Sequence, residues 1–295
     1  MISIIITAFK EPQTIGKTIE SIIKQKIREN YELIISAPDI KTLQVAKKYT
    51  KTNYRIKLYR DPGKGKSYAL NLLLKKVKGE ILILTDGDVF LSDNSINEIT
   101  SSFKDKKVGC VTGKPTPLEN KSTKYGYWAN FLFDSAHKLR KKLKQENKFL
   151  ECSGYLWAFR NNLIKNFPLD VAEDTIVPFF IYENGYKIDY VDSAKVYVKN
   201  VDNWEEWVSQ KIRTSKAHET LNKYVDTSKI PRTKTFLTEA KGFFSLFTYP
   251  KSLKEFYWSF QLLFARLYMW YRVFKDVYLL KKYHKDNWER VESTK

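Results

Sequence analysis

Asp86-Gly-Asp88 sets two carboxylates two residues apart, a spacing at which both can converge on one hard cation while Gly87 lets the backbone turn tightly. Mg²⁺ or Mn²⁺ favours such oxygen ligands and commonly shares its shell with substrate phosphates. Asp-x-Asp is also an ordinary polar turn, so its context matters: Ile81-Leu-Ile-Leu84 leads straight into it, the pattern of a buried strand. A second candidate is Gly63-Lys-Gly-Lys-Ser-Tyr-Ala-Leu-Asn71. Its spacing is not that of a Walker loop, yet glycines with Lys64 and Lys66 at a helix start suit a diphosphate. The bland alternative is a lysine-bearing turn. A third is Ala172-Glu-Asp-Thr175, acidic residues at a helix start, which capping and dipole preferences alone would explain.

The elements that must position these groups alternate between strand and helix. Ile2–Thr7, Tyr31–Ala37, Tyr54–Tyr59 and Glu80–Thr85 are short apolar or β-branched runs that predict strands. Between them, Pro12 opens a helix to about Lys26, Lys41–Tyr49 forms a second, and a third follows Lys66 to Lys76. Such alternation implies parallel pairing with right-handed crossovers. In a sheet of this kind the ligand sits beyond the carboxyl ends of the strands. That rule gathers Ala8–Glu11 (with Phe9), Ala37–Asp39, Asp61–Lys66 and Asp86–Asp88 around one crevice.

Further along, Lys107–Thr112 predicts a strand, Lys121–Glu146 a long helix, and Glu151–Arg160 a strand pair broken at Gly154. Ala172–Asn184 is a helix stopped by Gly185, followed by short strands at Lys187–Val191 and Lys195–Val198 and a helix over Asn203–Tyr224. After about Ile230 the chain becomes rich in Phe, Tyr, Trp and Leu, over Phe236–Tyr249 and Phe256–Leu280. Arg266, Arg272, Lys275 and Asp276 interrupt it, and no uncharged stretch approaches the ~18 to 20 residues of a spanning helix. Two readings compete: an amphipathic helix lying in the headgroup layer, or a helical hairpin packed on the rest of the protein.

The composition bounds the partners. Of the 295 residues 43% are hydrophobic, enough for a sizeable core, while the formal charge of +19 asks for an anionic partner. No repeated basic motif or zinc spacing supports nucleic acid, so an anionic membrane surface or a phosphorylated substrate is expected instead, and no nucleic acid. Cys110 and Cys152, the only cysteines, read as two reduced, packed thiols. Met1-Ile-Ser-Ile-Ile-Ile lacks the basic start and cleavage site of a secretory leader. The expected location is the cytoplasmic face of a membrane, peripheral or interfacial.

Taken together, these residues resemble the family 2 glycosyltransferases, with a GT-A fold and inverting chemistry. Asp86-Gly-Asp88 resembles the family's metal-binding Asp-x-Asp, and Gly65-Lys66-x-x-Ala69-Leu70-Asn71 the run after its third strand. Ser153-Gly154-Tyr155-Leu-Trp157-Ala-Phe-Arg160 is similar to the acceptor-side segment, and Glu173-Asp174 falls where the family has its catalytic base. Gln210-Lys-Ile-Arg213-Thr214 resembles the Gln-x-x-Arg-Trp of the cellulose synthase-like branch. Two departures stand out. Ser36-Ala-Pro-Asp39 replaces the usual Asp-Asp-Gly-Ser, leaving Asp39 alone for that role, and Thr214 replaces the tryptophan, for which Trp204 or Trp207 could substitute. The second departure favours single transfer over polymer synthesis.

The resemblance implies an α/β GT-A (Rossmann-like) mixed sheet with flanking helices over residues 1–229, split into a nucleotide-binding half (1–113) and an acceptor half (114–229), plus C-terminal aromatic amphipathic helices at 230–295. It implies Asp174 as the base, Asp86 and Asp88 as ligands of Mg²⁺ or Mn²⁺, and a nucleotide-diphosphate sugar held by Ala8, Phe9, Glu11, Asp39, Asp61, Lys64, Lys66, Asp86, Gly87, Gln210 and Arg213. Gly154, Tyr155, Trp157, Glu173 and Trp207 would face the acceptor. The donor is expected to be a UDP- or GDP-linked mannose or glucose, and the acceptor a lipid-linked glycan or polyprenyl phosphate. A nucleotidyltransferase is disfavoured because Thr7-Ala-Phe-Lys-Glu-Pro12 has nothing of that class's Gly-rich opening. A non-catalytic basic membrane-binding module is the remaining rival. His137, His218 and His284 are scattered and are given no role.

Overall fold

The computed structural model describes residues 1–233, 235–242, 244–283 and 293–294. Ile2–Thr7 (β1), Tyr31–Ala37 (β2), Ile56–Arg60 (β3) and Ile81–Asp86 (β4) form the parallel half of an eight-stranded mixed sheet. The sheet is completed by Val89–Leu91 (β5), Val108–Pro117 (β6), Leu156–Arg160 (β7) and Lys187–Val198 (β8), in the order β3-β2-β1-β4-β7-β6-β8-β5. Every residue of β1 is buried, because side chains alternate between two covered faces. Ile4 and Ile6 join Ile15 and Ile19 of one helix, α1 (Ile15–Ile23), whereas Ile5 joins Leu70 and Leu73 of another, α3 (Lys66–Leu74). Full burial of each such side chain is worth about 1.5–3 kcal/mol, which fixes the register of the central strands. Further helices before residue 230 are α2 (Ile40–Thr50), α4 (Ser95–Ser101), α5 (Lys124–Gln145), α6 (Glu173–Glu183) and α7 (Trp204–Glu219).

Several elements differ from the sequence reading. Helix α1 opens at Ile15 rather than Pro12, because the Glu11 carbonyl accepts from the Thr14 and Ile15 amides (3.3 and 3.1 Å) and makes a turn first. The two short strands at 187–198 are one strand: between the pairs Gly113–Val191 and Lys114–Lys195 the register shifts, and Asp192–Ala194 bulge without breaking it. In 151–160 only Leu156–Arg160 is a strand. Elements β5 and α4 were not anticipated.

At the C-terminal end, α8 (Phe236–Lys241) and α9 (Ser245–Thr248) precede the 22-residue α10 (Leu253–Phe274). Leu262, Ala265, Met269 and Val273 of α10 pack on Tyr127, Trp128 and Phe131 of α5 and on Trp207, Val208 and Ile212 of α7. The Tyr127 and Ser259 hydroxyls are 2.6 Å apart, and Trp128 Nε1 donates to the Trp258 carbonyl at 2.8 Å. The opposite face of α10 carries Tyr257, Phe264 and Tyr271, each about 60% exposed. The packed-hairpin reading therefore accounts for one face and leaves an aromatic face outward. No helix among the described residues is long and apolar enough to cross a membrane. The end of the expected C-terminal segment, 284–292 and 295 with His284, lies outside the described residues.

Candidate active site

Strand register brings the candidate residues together. Thr7 lies beside both Ser36 and Asp86, and Ala37 beside Arg60, so the carboxyl ends of β1 to β4 share one edge. Helix α2 is capped there by Asp39, whose carboxylate accepts from the Thr42 amide at 2.9 Å and the Lys10 amide at 2.8 Å. Burial opposes the charge on Asp39, but those amides and the Thr42 hydroxyl outweigh it and hold the pKa below the usual range. Asp61, 3% exposed, takes the Gly63 amide at 2.8 Å and the Ser36 hydroxyl at 3.1 Å. For Asp61 burial wins, and its pKa is raised. The loop after β1 closes onto Gly87, where an added Cβ would stand 2.3 Å from Glu11 Oε2 and 2.6 Å from Ala8 Cβ. Only glycine fits there. Ala8, Glu11 and Asp86-Gly-Asp88 thus form one wall.

Lys66 is the hub. It begins α3 directly after Gly65, whose φ of +112° suits glycine, and Nζ lies 2.7 Å from Asp86 Oδ1 and 2.8 Å from Glu173 Oε1. The Thr7 hydroxyl adds a 3.3 Å bond to the same Asp86 oxygen. Burial pushes the Lys66 pKa down, but Asp86 and Glu173 outweigh it and hold the ammonium well above its ordinary value. Glu173 is buried and Lys66 largely so, so removing the lysine would leave the Glu173 charge without its partner. Lys64 instead points outward, its Nζ 5.4 Å from the Tyr68 ring centre.

Strand β7 runs antiparallel to β4, which delivers its leading residues to the same edge: Leu156 pairs with Thr85, and the Thr85 hydroxyl donates to the Tyr155 carbonyl at 2.7 Å. A Cβ on Gly154 would stand 2.9 Å from Asp174 Oδ2, so the Asp174 carboxylate lies directly over the Gly154 backbone. Burial, followed by the charges of Asp88 and Asp86, raises the Tyr155 pKa strongly, while Arg213 partly opposes them. The Tyr155 hydroxyl therefore stays protonated, within the electrostatic reach of Asp86, Asp88, Asp174 and Arg213. Gln210 and Arg213 of α7 line a cavity of about 920 Å³ with Ser153 and Tyr155.

Two aromatic residues expected at the acceptor are core residues. Trp157 is fully buried, stacked on Phe159 at 5.2 Å, and Trp207 is 3% exposed, between Trp128 at 5.1 Å and Trp204 at 5.9 Å. Tyr155, stacked on Phe133 at 6.3 Å between ring centres, is the aromatic residue of this segment that lines the cavity. Thr7 and Thr42 were missed: nothing separates a functional threonine at a strand end or a helix start from a structural one. His137 bonds Tyr190 at 2.8 Å, and His218 is buried 3.5 Å from Glu151.

Asp86 and Asp88 fit a hard divalent ion by chemistry and position. Asp86 Oδ1 is held by Lys66 and Thr7, and Asp88 follows two residues on, across the tight Gly87 turn that closes onto Ala8 and Glu11. Among the described residues no group of three or more His, Cys, Asp or Glu side chains is arranged to hold a metal. Two carboxylates with the remaining positions left to phosphate and water is the usual manner of Mg²⁺.

Residues 3–167 match the sequence profile of "Glycosyl transferase family 2". Among curated proteins none matches the chain significantly in sequence. Among solved structures, the chain is similar to the mannosyltransferase PcManGT from Pyrobaculum calidifontis, in complex with GDP-Man and Mn²⁺, at 17% identity and a TM-score of 0.64. That match covers 95% of this chain and 85% of the other. It is also similar to S. aureus TarS 1-349 in complex with UDP-GlcNAc, at 17% identity and a TM-score of 0.54, over 77% of this chain and 68% of the other. The architecture is a mixed α/β sheet of GT-A type.

Proposed function

Because the chain belongs to glycosyl transferase family 2, enzymes that transfer sugar from a nucleotide sugar, we propose that it is a metal-dependent inverting hexosyltransferase acting on a lipid-linked acceptor at a membrane surface. The observation that carries the reading is the bridge from Lys66 to both Asp86 and Glu173, which ties one candidate metal carboxylate to the segment holding Asp174. Residues 1–229 make up the catalytic unit in this reading, and 230–295 the interfacial one.

Asp86 and Asp88 would hold Mg²⁺ or Mn²⁺, which supplies positive charge against the leaving diphosphate when bound. Lys66 and Arg213 add charge at the same place, and Lys66 keeps its proton throughout the physiological range because its carboxylate partners hold it. Ala8, Phe9, Glu11, Asp39 and Asp61 line the donor side. Asp174 accepts the proton of the acceptor hydroxyl as that oxygen attacks the anomeric carbon. Glu173, committed to Lys66, positions its neighbour. Tyr155 offers the acceptor a hydroxyl that does not ionise. One displacement with one base inverts the anomeric centre. The first-formed product, read by ¹H NMR before it equilibrates, should carry the configuration opposite to the donor's; retention would overturn the single-displacement mechanism. Mannose or glucose on GDP or UDP is the donor favoured here, in line with the GDP-Man of one structural neighbour and with the UDP carrier, though not the sugar, of the other. The Gln210-x-x-Arg213 pair supports placement near the cellulose synthase-like branch.

The outward face of α10 supports the membrane reading. Phe247, Phe256, Phe260 and Phe264 form a ladder of rings at centroid spacings of 6.1, 6.0 and 6.0 Å. They are 40 to 62% exposed, and the exposed Lys251 and Lys254 lie at the start of the same helix, charge that an anionic interface would attract. The protein should co-sediment with phosphatidylglycerol-containing liposomes, and joint replacement of Phe256, Phe260 and Phe264 by Ser should release it. Undiminished binding of that folded variant would remove α10 from the interface.

A further inference from the structure

The cavity of about 920 Å³ lies between α5 and the C-terminal helices, with Tyr155 and Ser153 at its catalytic end. Those two residues flank Gly154, on whose backbone the Asp174 carboxylate rests. The size is at the upper end of the roughly 300–1,000 Å³ of ligand pockets. Its chemistry is divided. Phe131 and Leu132 of α5 face Leu246, Leu262 and Leu263 of the C-terminal helices, an apolar passage. Seven Lys and Arg side chains line it against two carboxylates, Asp134 and Glu239. Both carboxylates are already engaged, Asp134 by Lys121 at 3.7 Å and Glu239 by Arg266 at 3.0 Å, so the surplus is cationic. The passage also borders the outward aromatic face: Leu263 is flanked at three and four residues along α10 by Phe260 and Leu267, which are 44 and 39% exposed.

An apolar passage with cationic lining, adjoining the acceptor side of the site and an exposed aromatic face, suits an amphiphile entering from a bilayer. We propose that this cavity binds the acceptor's carrier, a polyprenyl phosphate whose tail lies between α5 and α10 and whose phosphate meets the cationic lining, Lys138 and Lys211 among it. The assignment rests on the lipid-linked reading above and specifies where the lipid sits. A soluble glycan would need neither the apolar walls nor the adjacency to the Phe260 face.

The test is calorimetric titration of the full chain with farnesyl phosphate, run beside thermal stabilisation by a nucleotide sugar and Mn²⁺. Wild type should bind farnesyl phosphate saturably, and equal concentrations of inorganic phosphate should not displace it. Ser135→Trp and Thr248→Trp fill the passage from its two sides, outside the catalytic residues, and each should weaken binding about tenfold or more. Nucleotide stabilisation of both variants should match wild type. Absence of saturable binding, unchanged binding in both folded variants, or displacement by inorganic phosphate alone would each overturn the proposal. Failure of the transferase reading would appear separately, as loss of nucleotide stabilisation in the wild type.

Discussion

Asp174→Asn is expected to lower turnover by about 10²- to 10⁴-fold while metal-dependent nucleotide binding stays near wild type. The amide keeps the shape of the side chain over Gly154 but cannot take the acceptor's proton. Because the Lys66 bridge runs to Glu173 and Asp86, it survives the change, and the donor side keeps its charge balance. A steady-state assay paired with nucleotide titration separates the two effects. Turnover within a few-fold of wild type would move the base to another carboxylate, with Glu173 the nearest alternative. Loss of nucleotide binding as well would mean that Asp174 supports the donor site rather than the acceptor's proton.

Asp88→Ala should act on the other half of the reaction. Metal stabilisation of a leaving diphosphate is worth several kcal/mol, so kcat/KM should fall by about 10²- to 10³-fold, with the Mn²⁺-dependent part of nucleotide binding lost. Asp86 remains, but one of its oxygens is committed to Lys66 and Thr7, which limits how far it alone can hold the ion. The diagnostic feature is the combination. Asp174→Asn separates binding from chemistry, whereas Asp88→Ala weakens both. Nucleotide affinity that responds to Mn²⁺ as strongly in Asp88→Ala as in wild type would place the ion elsewhere.

Much of this arrangement is legible in residue order. Strands β1, β2 and β4 are runs of branched apolar residues, and a strand buried on both faces has few other readings. Parallel pairing then puts Ala8–Glu11, Asp39, Asp61 and Asp86 at one edge without any tertiary information. Strand β5 was not legible because three residues after a polar turn carry no period. The Lys66–Glu173 bridge was not legible either, since helix-start acids look alike whether they cap, pair or catalyse. The aromatic assignments failed for a geometric reason. Strand alternation would set Tyr155 and Trp157 on one face, but the turn at Gly154–Tyr155 rotates Tyr155 toward Phe133 (6.3 Å between rings), while Trp157 enters the opposite core. In α7, Trp207 looks like a substitute for the missing acceptor ring until α10 is seen to cover it.

The most direct measurement is turnover of a panel of UDP- and GDP-linked sugars by the purified chain with Mn²⁺ or Mg²⁺, with and without chelator. The account predicts cleavage of one sugar nucleotide, accelerated by a polyprenyl-phosphate-linked acceptor and abolished when the metal is removed. Turnover undiminished by chelator would contradict the metal-carboxylate site at Asp86 and Asp88, and no turnover of any donor with acceptor present would contradict the transferase itself.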